Sequence, residues 1–382
     1  MRRIMLAFGT RPEVIKLAPL IRLLREDGRA EIVTVSTGQH RALLQDALSA
    51  FDLAPDHDLA LMREDQKPSD LMGRALLAIR ALFDRVAPDV IVVQGDTTSV
   101  AAAAMAGFLN GVRVAHVEAG LRTGDKRAPF PEEVNRRVTS VVADDHFAPT
   151  SAACDNLRRE GIPDADIHLT GNTVVDALLW MRERTAQRPL PFKLNDGERL
   201  ALLTAHRREN HGERLMQILA AVREIAAQVD DLRIVFPVHR NPAVQRAAAE
   251  ALADAPRVER IDPLGYADFV ATMTRACLIL TDSGGVQEEA PALGIPTLVL
   301  RDKTERPEGV ELGAVKLVGA DRALIVREAL AALRLPAPRI ADGRPPAIYG
   351  DGLAARRIAE VLIDGRMRTA PFQQMKVEPA AT

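Results

Sequence analysis

The sequence predicts an α/β protein made of two doubly wound halves, each a parallel sheet with helices on both faces. Short valine- and isoleucine-rich runs alternate with helical patterns in residues 1–170, and the alternation begins again in residues 171–352. The chain has 382 residues, more than one core commonly serves, so two domains are expected. A helical pattern at 353–368 is expected to pack back on the first domain.

Individual elements follow from these runs. In the first half we predict strands at 4–8, 32–35, 90–93 and 112–117, with helices at 14–26, 69–86 and around 101–106. In the second half we predict strands at 200–204, 232–236, 278–280 and 296–300. In parallel sheets ligands bind at the carboxyl ends of the strands, so we look for chemistry there.

Composition excludes several classes of partner. The net charge is −2 without long blocks of one sign, and only 3% of residues are aromatic, which argues against nucleic acid and anionic membranes. Cys154 and Cys277 lie far apart, which fits a reducing cytoplasm and offers neither a disulfide framework nor a zinc site. The apolar run after Met1 is too short for a signal peptide, and no run is long enough to span a bilayer.

Residues 281–291 form the most informative stretch. The apolar run before it should end in a tight turn at Gly284 and Gly285, where Ser283 is a plausible N-cap for the following helix. The N–H groups at the start of a helix bind anions such as phosphate. Glu288 and Glu289 follow at once and would repel a bare phosphate, so the combination suits a sugar nucleotide, whose ribose hydroxyls a carboxylate can bind. A helix that merely begins with glycine and favourable acids is the alternative.

The loop at residues 9–13 follows the first predicted strand. It places Arg11 and, one turn later, Lys16 beside a helix N-terminus, and Pro12 suits the first helical turn. Neither a Walker loop nor a GxGxxG fingerprint occurs there, so the ATPase and dinucleotide-binding interpretations lose support. A surface loop with a capping acid is the alternative.

Three acids follow in the first half, and two histidines follow strands of the second half. Asp96 and Glu118 end predicted strands, and Glu132 lies where a loop enters a helix. If they meet in a cleft they repel one another, which raises some of their pKa values and prepares them for proton transfer. His206 and His239 lie at strand ends of the second half. Helix capping and structural histidines are the alternatives at each position.

Taken together, these motifs resemble those of the non-hydrolysing UDP-N-acetylglucosamine 2-epimerases. The resemblance runs from Gly9 to about Arg306 in the family's motif order, and Pro12 is typical of the non-hydrolysing branch. It implies a GT-B architecture: two doubly wound Rossmann-like domains with a cleft between them. It also implies a homodimer that takes a small-molecule UDP-sugar and needs neither a cofactor nor a metal.

The resemblance further implies a reaction and a set of roles. UDP-N-acetylglucosamine is epimerised at carbon 2 to UDP-N-acetylmannosamine by elimination of UDP to 2-acetamidoglucal and re-addition of UDP, and the product feeds cell-surface polysaccharide synthesis. The implied catalytic residues are Asp96, Glu118, Glu132 and His206. The implied substrate-binding residues are Arg11, Lys16, Arg136, Ser283, Gly284, Gly285 and Arg306 for the phosphates, Glu289 for the ribose and Phe269 for the uracil.

Many bacterial relatives bind a second substrate molecule as an activator. The residues that match this site by spacing are Gln39, Glu133, Arg207 and His239. Ala42 and Asp65, however, stand where those relatives carry glutamine and arginine. The loss of a cation and the gain of an anion are expected to weaken binding of a second diphosphate sugar.

Three alternatives stay open. A GT-B glycosyltransferase would share the glycine-rich turn and Glu289, but a retaining transferase needs no cluster of three acids. An epimerase of a related UDP-2-acetamido sugar differs only in pocket details. A regulator that binds a nucleotide sugar without catalysis would require Asp96, Glu118 and Glu132 to lie apart.

Overall fold

A computed structural model of the chain describes residues 1–38, 41–63, 66–334 and 346–375. These residues divide into two compact units, unit 1 (Met1–Ala177 with Tyr349–Gln374) and unit 2 (Leu178–Ile348). The predicted boundary, after residue 170, lies just before this division. None of the described helices is both long and apolar enough to cross a membrane.

Unit 1 contains a parallel sheet of seven strands in the order β3-β2-β1-β4-β5-β6-β7. The strands are β1 (Arg2–Phe8), β2 (Ala30–Ser36), β3 (His57–Asp58), β4 (Val90–Gln94), β5 (Arg113–Val117), β6 (Asp145–Ala148) and β7 (Ile167–Leu169). All four predicted strands are present. Strands β3, β6 and β7 were not predicted. Each is short and contains a histidine, two of them also contain an aspartate, and none has the valine-rich run on which the other predictions depend.

Helices cover this sheet. They are α1 (Arg11–Asp27), α2 (Arg41–Ala50), α3 (Pro68–Val86), α4 (Thr98–Leu109), α5 (Glu132–Val142) and α6 (Ser151–Arg159). Helix α7 (Thr173–Arg184) follows them and contains the division between the two units. Helix α1 begins three residues before the predicted start because Pro12 occupies its first turn, where a missing N–H costs nothing. Helix α4 is buried along nearly its whole length, which its run of alanines permits by letting the sheet approach closely.

Unit 2 repeats the design with a parallel sheet in the order β10-β9-β8-β11-β12-β13. Its strands are β8 (Arg199–Thr204), β9 (Leu232–Pro237), β10 (Val258–Ile261), β11 (Ala276–Thr281), β12 (Thr297–Val299) and β13 (Val315–Leu317), and its helices are α8 (Glu213–Gln228), α9 (Pro242–Ala251), α10 (Tyr266–Thr274), α11 (Gly284–Ala292), α12 (Pro307–Glu311) and α13 (Arg322–Leu333). The four predicted strands are again present, and β10 and β13 are additional. One apolar core joins β8, β9 and β11 to α8 and α13.

The last helix of the described chain, α14 (Ala354–Asp364), belongs to unit 1, where it lies against α1. It is shorter than the predicted 353–368 because Gly365 adopts a left-handed conformation and ends it. Its first N–H groups are bound by the buried carboxylate of Asp176: Ala355 N donates to Oδ1 at 2.9 Å and Ala354 N to Oδ2 at 3.3 Å. Asp176 thus caps a helix that lies far from it in the sequence.

Candidate active site

Each sheet has one point at which the chain reverses its direction of winding. In unit 1 that point lies between β1 and β4, and in unit 2 it lies between β8 and β11. Loops that leave the carboxyl ends of such adjacent strands diverge and open a crevice in which α/β proteins bind ligands. Several of the predicted site residues follow these strands, and others follow the neighbouring strands β5 and β9 or lie on helices α5 and α10.

Glu118 follows β5 directly and has an unusual backbone. Its φ of 66° lies in the left-handed region, which non-glycine residues seldom occupy. Residues in such conformations are often found at functional sites. Its carboxylate is almost fully buried, and Oε1 lies 2.5 Å from Nζ of Lys16. The Gln94 side-chain amide donates to Oε2, and Nδ2 of Asn172 lies 3.4 Å from Oε1. The structure therefore pairs Lys16, expected at the phosphates, with a predicted catalytic acid.

Asp96 lies beside Glu118 at the same sheet edge. In the paired strands Gln94 stands opposite Val117, so the two acids follow neighbouring strand ends. A Cβ placed on Gly95 would lie 4.0 Å from Oε2 of Glu118. The structure thus brings two of the three predicted acids together.

Helix α5 supplies the partner of Asp96. Arg136 donates from Nε to Oδ2 of Asp96 at 3.1 Å and contacts the same oxygen through Nη2. Nδ2 of Asn135 also donates to the backbone oxygen of Asp96 at 3.0 Å. Glu132, the third predicted acid, is the first residue of α5 and lies one turn before Arg136, on the same face of the helix.

The sequence analysis gave no role to Glu13, a buried acid in the loop at residues 9–13. Its Oε2 accepts from the backbone N–H of Gly9 at 2.6 Å, and its Oε1 accepts from the hydroxyl of Thr10 at 2.9 Å. Burial raises the pKa of Glu13 to about 7, and the charge of Asp96 adds to the increase, although these hydrogen bonds act in the opposite sense. Arg11, the predicted phosphate ligand, is the half-buried first residue of α1.

In unit 2 the glycine turn is open on one side and lined by cations on the other. A Cβ on Gly284 would lie 2.9 Å from Nη1 of Arg306 and 3.3 Å from Nη2 of Arg207, whereas one on Gly285 would meet nothing within 4 Å. Ser283 is the N-cap residue of α11, as predicted, but its side chain makes no capping hydrogen bond. Two guanidinium groups therefore lie beside the N-terminus of α11, an arrangement suited to phosphate.

The two glutamates of α11 have different partners. Glu288 is buried, and its Oε1 accepts from Nε of Arg306 at 2.6 Å. Oε1 of Glu289 accepts from the hydroxyl of Tyr266 at 2.9 Å. Glu288 thus holds one of the cations, while Glu289 is held by a residue that the sequence analysis did not identify.

Tyr266 is the first residue of α10, the helix that also carries Phe269. Phe269 is half-buried and lies one turn after Tyr266, on the same face of the helix. Pro263 and Gly265 form a turn signal that predicts a helix start at Tyr266. No sequence pattern near Tyr266 predicts its hydrogen bond to Glu289, which lies 23 residues later.

His206 is fixed by a carboxylate from the next strand of the sheet. Its Nδ1 lies 3.0 Å from Oδ1 of Asp282, which is fully buried at the end of β11. The ring stacks on His239 with 5.7 Å between centroids and 20° between planes. Burial lowers the pKa of His239, and the neighbouring His206 lowers it further. Asp282 stood inside the stretch at 281–291 but received no role in the sequence analysis.

The residues matched to a second substrate site are dispersed between the two units. Gln39 and Asp65 lie outside the described residues, as does the side chain of Ala42. Glu133 is fully buried in unit 1, where its carboxylate accepts from the backbone N–H groups of Thr123 at 3.1 Å and Gly124 at 3.3 Å and from Arg136 at 3.2 Å. In unit 2, Arg207 lies at the glycine turn and His239 lies against His206.

Comparison with known proteins finds relatives that match nearly the whole chain. A family model described as UDP-N-acetylglucosamine 2-epimerase matches residues 22–363. The UDP-N-acetylglucosamine 2-epimerase of Bacillus subtilis is 45% identical over 361 residues, which cover 94% of this chain and 95% of the relative. The crystal structure of the UDP-GlcNAc 2-epimerase from Neisseria meningitidis bound to UDP-GlcNAc superposes with a TM-score of 0.86 at 39% identity, and the match covers 95% of this chain and 100% of that one.

A more distant structure bears on the fold alone. The glycotransferase of kitacinnamycin is 15% identical, with a TM-score of 0.58 over 87% of this chain and 92% of that one. With two all-parallel sheets in the described chain, this likeness confirms the predicted GT-B class with its two doubly wound Rossmann-like domains. The family match likewise confirms the predicted enzyme class, an isomerase. This chain belongs to the UDP-N-acetylglucosamine 2-epimerase family.

Proposed function

We propose that the chain interconverts UDP-N-acetylglucosamine (UDP-GlcNAc) and UDP-N-acetylmannosamine (UDP-ManNAc) by epimerisation at carbon 2 of the sugar. The observation that carries this proposal is the pair of acids at the carboxyl ends of β4 and β5 in unit 1, Asp96 and Glu118, each bound to a basic side chain. A glycine turn that binds phosphate is common to transferases and epimerases. Two neighbouring acids can supply the base and the acid that proton transfer at carbon 2 requires.

The chemistry follows from the weak acidity of the hydrogen at carbon 2. A base removes this proton while the bond between carbon 1 and the UDP oxygen breaks in anti geometry, and the bonding electrons leave with UDP. The neutral intermediate is 2-acetamidoglucal, with a double bond between carbons 1 and 2. UDP then adds back to carbon 1, and an acid delivers a proton to the opposite face of carbon 2. Since no atom changes its net oxidation state, no external oxidant is consumed.

We assign proton transfer to the acids of unit 1. Glu118 and Asp96 are adjacent at the sheet edge, and Glu132 starts the helix whose Arg136 binds Asp96. A base and an acid must act on opposite faces of carbon 2, which requires at least two such groups. General acid–base catalysis contributes roughly 10²–10⁴-fold per group, so charge stabilisation of departing UDP supplies much of the remainder.

We assign the nucleotide to the glycine turn of unit 2. In this proposal the diphosphate binds at the N-terminus of α11 beside Ser283, Gly284 and Gly285, where Arg207 joins the predicted Arg306. Glu289 binds the ribose, and its hydrogen bond from Tyr266 fixes its rotamer. Phe269 packs beside the uracil, and His206 acts on the leaving diphosphate. Arg11, Lys16 and Arg136 remain proposed phosphate ligands in addition to their roles near the acids.

The role of the acids is tested by matched substitutions. We expect Glu118→Gln and Asp96→Asn each to slow interconversion of UDP-GlcNAc and UDP-ManNAc by about 10²–10⁴-fold. The matched control is Asp84→Asn, which removes an exposed acid on α3 that pairs with Arg80, one turn away on the same helix. Proton NMR of the sugar measures the rate, and calorimetry with UDP checks that nucleotide binding is retained.

Two results would contradict these assignments, one for the acids and one for the reaction. If both acid variants interconvert the sugars as fast as Asp84→Asn, the acids of unit 1 do not transfer the proton. If the wild type instead moves the sugar to an acceptor and leaves carbon 2 unchanged, the chain is a glycosyltransferase.

Two further parts of the proposal rest on the family alone. We propose that UDP-ManNAc made by this chain feeds cell-surface polysaccharide synthesis and that the active form is a homodimer. Sedimentation of the purified chain measures the second directly.

A further inference from the structure

The carboxylate of Asp282 joins the two loops at the switch point of unit 2. It has no exposed surface. Its Oδ2 accepts from the backbone N–H groups of His206 and Arg207, each at 2.8 Å, and from Nδ2 of Asn210 at 3.1 Å. Its Oδ1 lies 3.0 Å from Nδ1 of the His206 ring. One side chain therefore fixes both the backbone and the ring of the histidine.

These contacts determine where the proton of the neutral His206 ring lies. Burial acts to raise the pKa of Asp282, but His206 and the backbone N–H groups outweigh burial and lower it, so the group is a carboxylate that only accepts. The contact between Nδ1 and Oδ1 is not aligned as a hydrogen bond, but a lone pair on Nδ1 would be repelled by this carboxylate oxygen at 3.0 Å, so the neutral ring carries its proton on Nδ1. Nε2 is then left as the nitrogen that can meet a ligand.

The stacked histidine has the opposite tautomer. Nδ1 of His239 accepts from the backbone N–H of Asn241 at 3.1 Å, which places its proton on Nε2. The ring of His239 thereby packs against His206 without competing for Asp282. Stacking on His239 limits rotation of the His206 ring, while the contact with Asp282 determines which nitrogen faces the carboxylate.

We propose that Asp282 is a positioning residue for the reaction: it holds His206 as the Nδ1–H tautomer so that Nε2 is presented to the leaving diphosphate. The inference rests on the proposed function, because it takes His206 to act on departing UDP. A carboxylate that orients a histidine in this way is a recurring device in catalysis, and its replacement by an amide reverses the tautomer.

Asp282→Asn tests the inference because the structure dictates how the amide must sit. Three N–H donors converge where Oδ2 now lies, so the amide oxygen must take that place. The amide NH₂ then faces Nδ1 of His206 and makes that atom an acceptor, which moves the ring proton to Nε2. Asn210→Ala is the matched control, since it removes one donor to the same carboxylate and leaves the ring contact in place.

Two readouts separate positioning from mere structural support. The first is ¹⁵N NMR of labelled histidine in the wild type, which needs no variant: we expect neutral His206 to carry its proton on Nδ1. The second is a double-mutant cycle with His206→Ala. We expect Asp282→Asn to lower kcat by about 10²-fold or more in the wild-type background and by less than about threefold in the His206→Ala background, with UDP affinity nearly unchanged. Asn210→Ala should lower kcat by similar factors in both backgrounds.

A neutral His206 with its proton on Nε2 overturns the inference. So does an Asp282→Asn effect that is as large without His206 as with it, because Asp282 would then act on the fold alone. A wild type that does not interconvert the sugars refutes the proposed function instead, and the NMR result still decides the tautomer.

Discussion

At the scale of single residues, the partners of a buried carboxyl group decide the direction of its pKa shift. Burial acts to raise the pKa of every such group. For Asp145 and Glu305, neighbouring arginines outweigh burial and lower the pKa to about 2. Within the described residues, the groups that donate to Glu13 and Asp176 are N–H or O–H groups that carry no charge, and burial raises the pKa of each acid to about 7. The two classes should respond to pH in opposite ways.

Glu13 provides a test of this difference. Because its pKa rises from 4.5 to about 7 on folding, the folded chain binds a proton more tightly, so the resulting stabilisation is full below pH 4.5 and is lost as pH rises through about 7. The Glu13→Gln variant cannot titrate there. Between pH 4.5 and 8 we expect the wild type to lose about 3 kcal/mol of unfolding free energy relative to Glu13→Gln. Urea unfolding of both chains across this pH range measures the difference. If the unfolding free energies of the two chains change with pH in parallel, burial does not raise the pKa of Glu13.

The second residue-scale prediction concerns the open side of the glycine turn. A Cβ on Gly285 would meet no protein atom within 4 Å, so Gly285→Ala should fold normally, but its methyl group would enter the space proposed for the diphosphate. We expect UDP affinity to fall about tenfold or more, which corresponds to about 1.4 kcal/mol. Calorimetry with UDP and thermal unfolding measure the two quantities.

Gly73→Ala is the matched control for this substitution. A Cβ on Gly73 also meets nothing within 4 Å, but Gly73 lies inside α3, away from the glycine turn in the chain. There alanine should stabilise the helix by roughly 0.5–1 kcal/mol and leave UDP binding unchanged. Equal UDP affinities for the two variants would show that the diphosphate does not approach Gly285.

At the scale of elements, Asp176 connects α7 to the start of α14. Its two oxygens accept the N–H groups of Ala354 and Ala355, and Asp176→Ala would leave both N–H groups buried without an acceptor. We expect a loss of roughly 1–3 kcal/mol per unsatisfied group, as a lower midpoint of thermal or urea unfolding.

The matched control for Asp176→Ala is Asp321→Ala, which removes a comparable cap from α13. Asp321 accepts from Leu324 N at 2.9 Å at an exposed position, where water can replace it. Its loss should cost about 1 kcal/mol or less. A larger effect at Asp321 than at Asp176 would contradict the view that α14 depends on a buried cap.

The longer elements were predictable because their patterns are local. The strands containing residues 90–93 and 200–204 are continuous apolar runs, and Pro12 and Gly284 mark the starts of α1 and α11. The end of α14 at Gly365 was not predicted, because the helical pattern continues beyond that glycine. The two-residue strand β3 was not predictable, since His57 and Asp58 carry no strand signal and pair only because β2 offers a free edge. The order of the strands in each sheet cannot be predicted from local patterns either, and the two switch points depend on that order.

The candidate site residues could be named from the sequence, but most of their pairings could not. Asp96, Glu118 and the glycine turn were identified because strand ends and helix starts are visible in the sequence. The contacts between Lys16 and Glu118, and between Asp282 and His206, join residues far apart in the chain and depend on sheet order. Arg207 was matched by spacing to another site, yet its guanidinium lies beside Gly284.

At the scale of the whole molecule, two units of the same design carry different chemistry. The loops after β4 and β5 in unit 1 present two acids paired with basic side chains. The loops after β8 and β11 in unit 2 present a fixed histidine and a helix N-terminus with two arginines beside it. We propose that both sets serve one reaction. The weakening of a second substrate site, expected from Ala42 and Asp65, stays a prediction.

The measurement that tests this account most directly is incubation of the wild-type chain with UDP-GlcNAc in deuterated water, followed by proton NMR of the sugar. Elimination and re-addition of UDP with exchange of the removed proton predicts UDP-ManNAc that carries deuterium at carbon 2 and protium at every other carbon of the ring, without added nicotinamide. UDP-ManNAc that keeps its original hydrogen at carbon 2, or UDP-GlcNAc that stays unchanged, would contradict it.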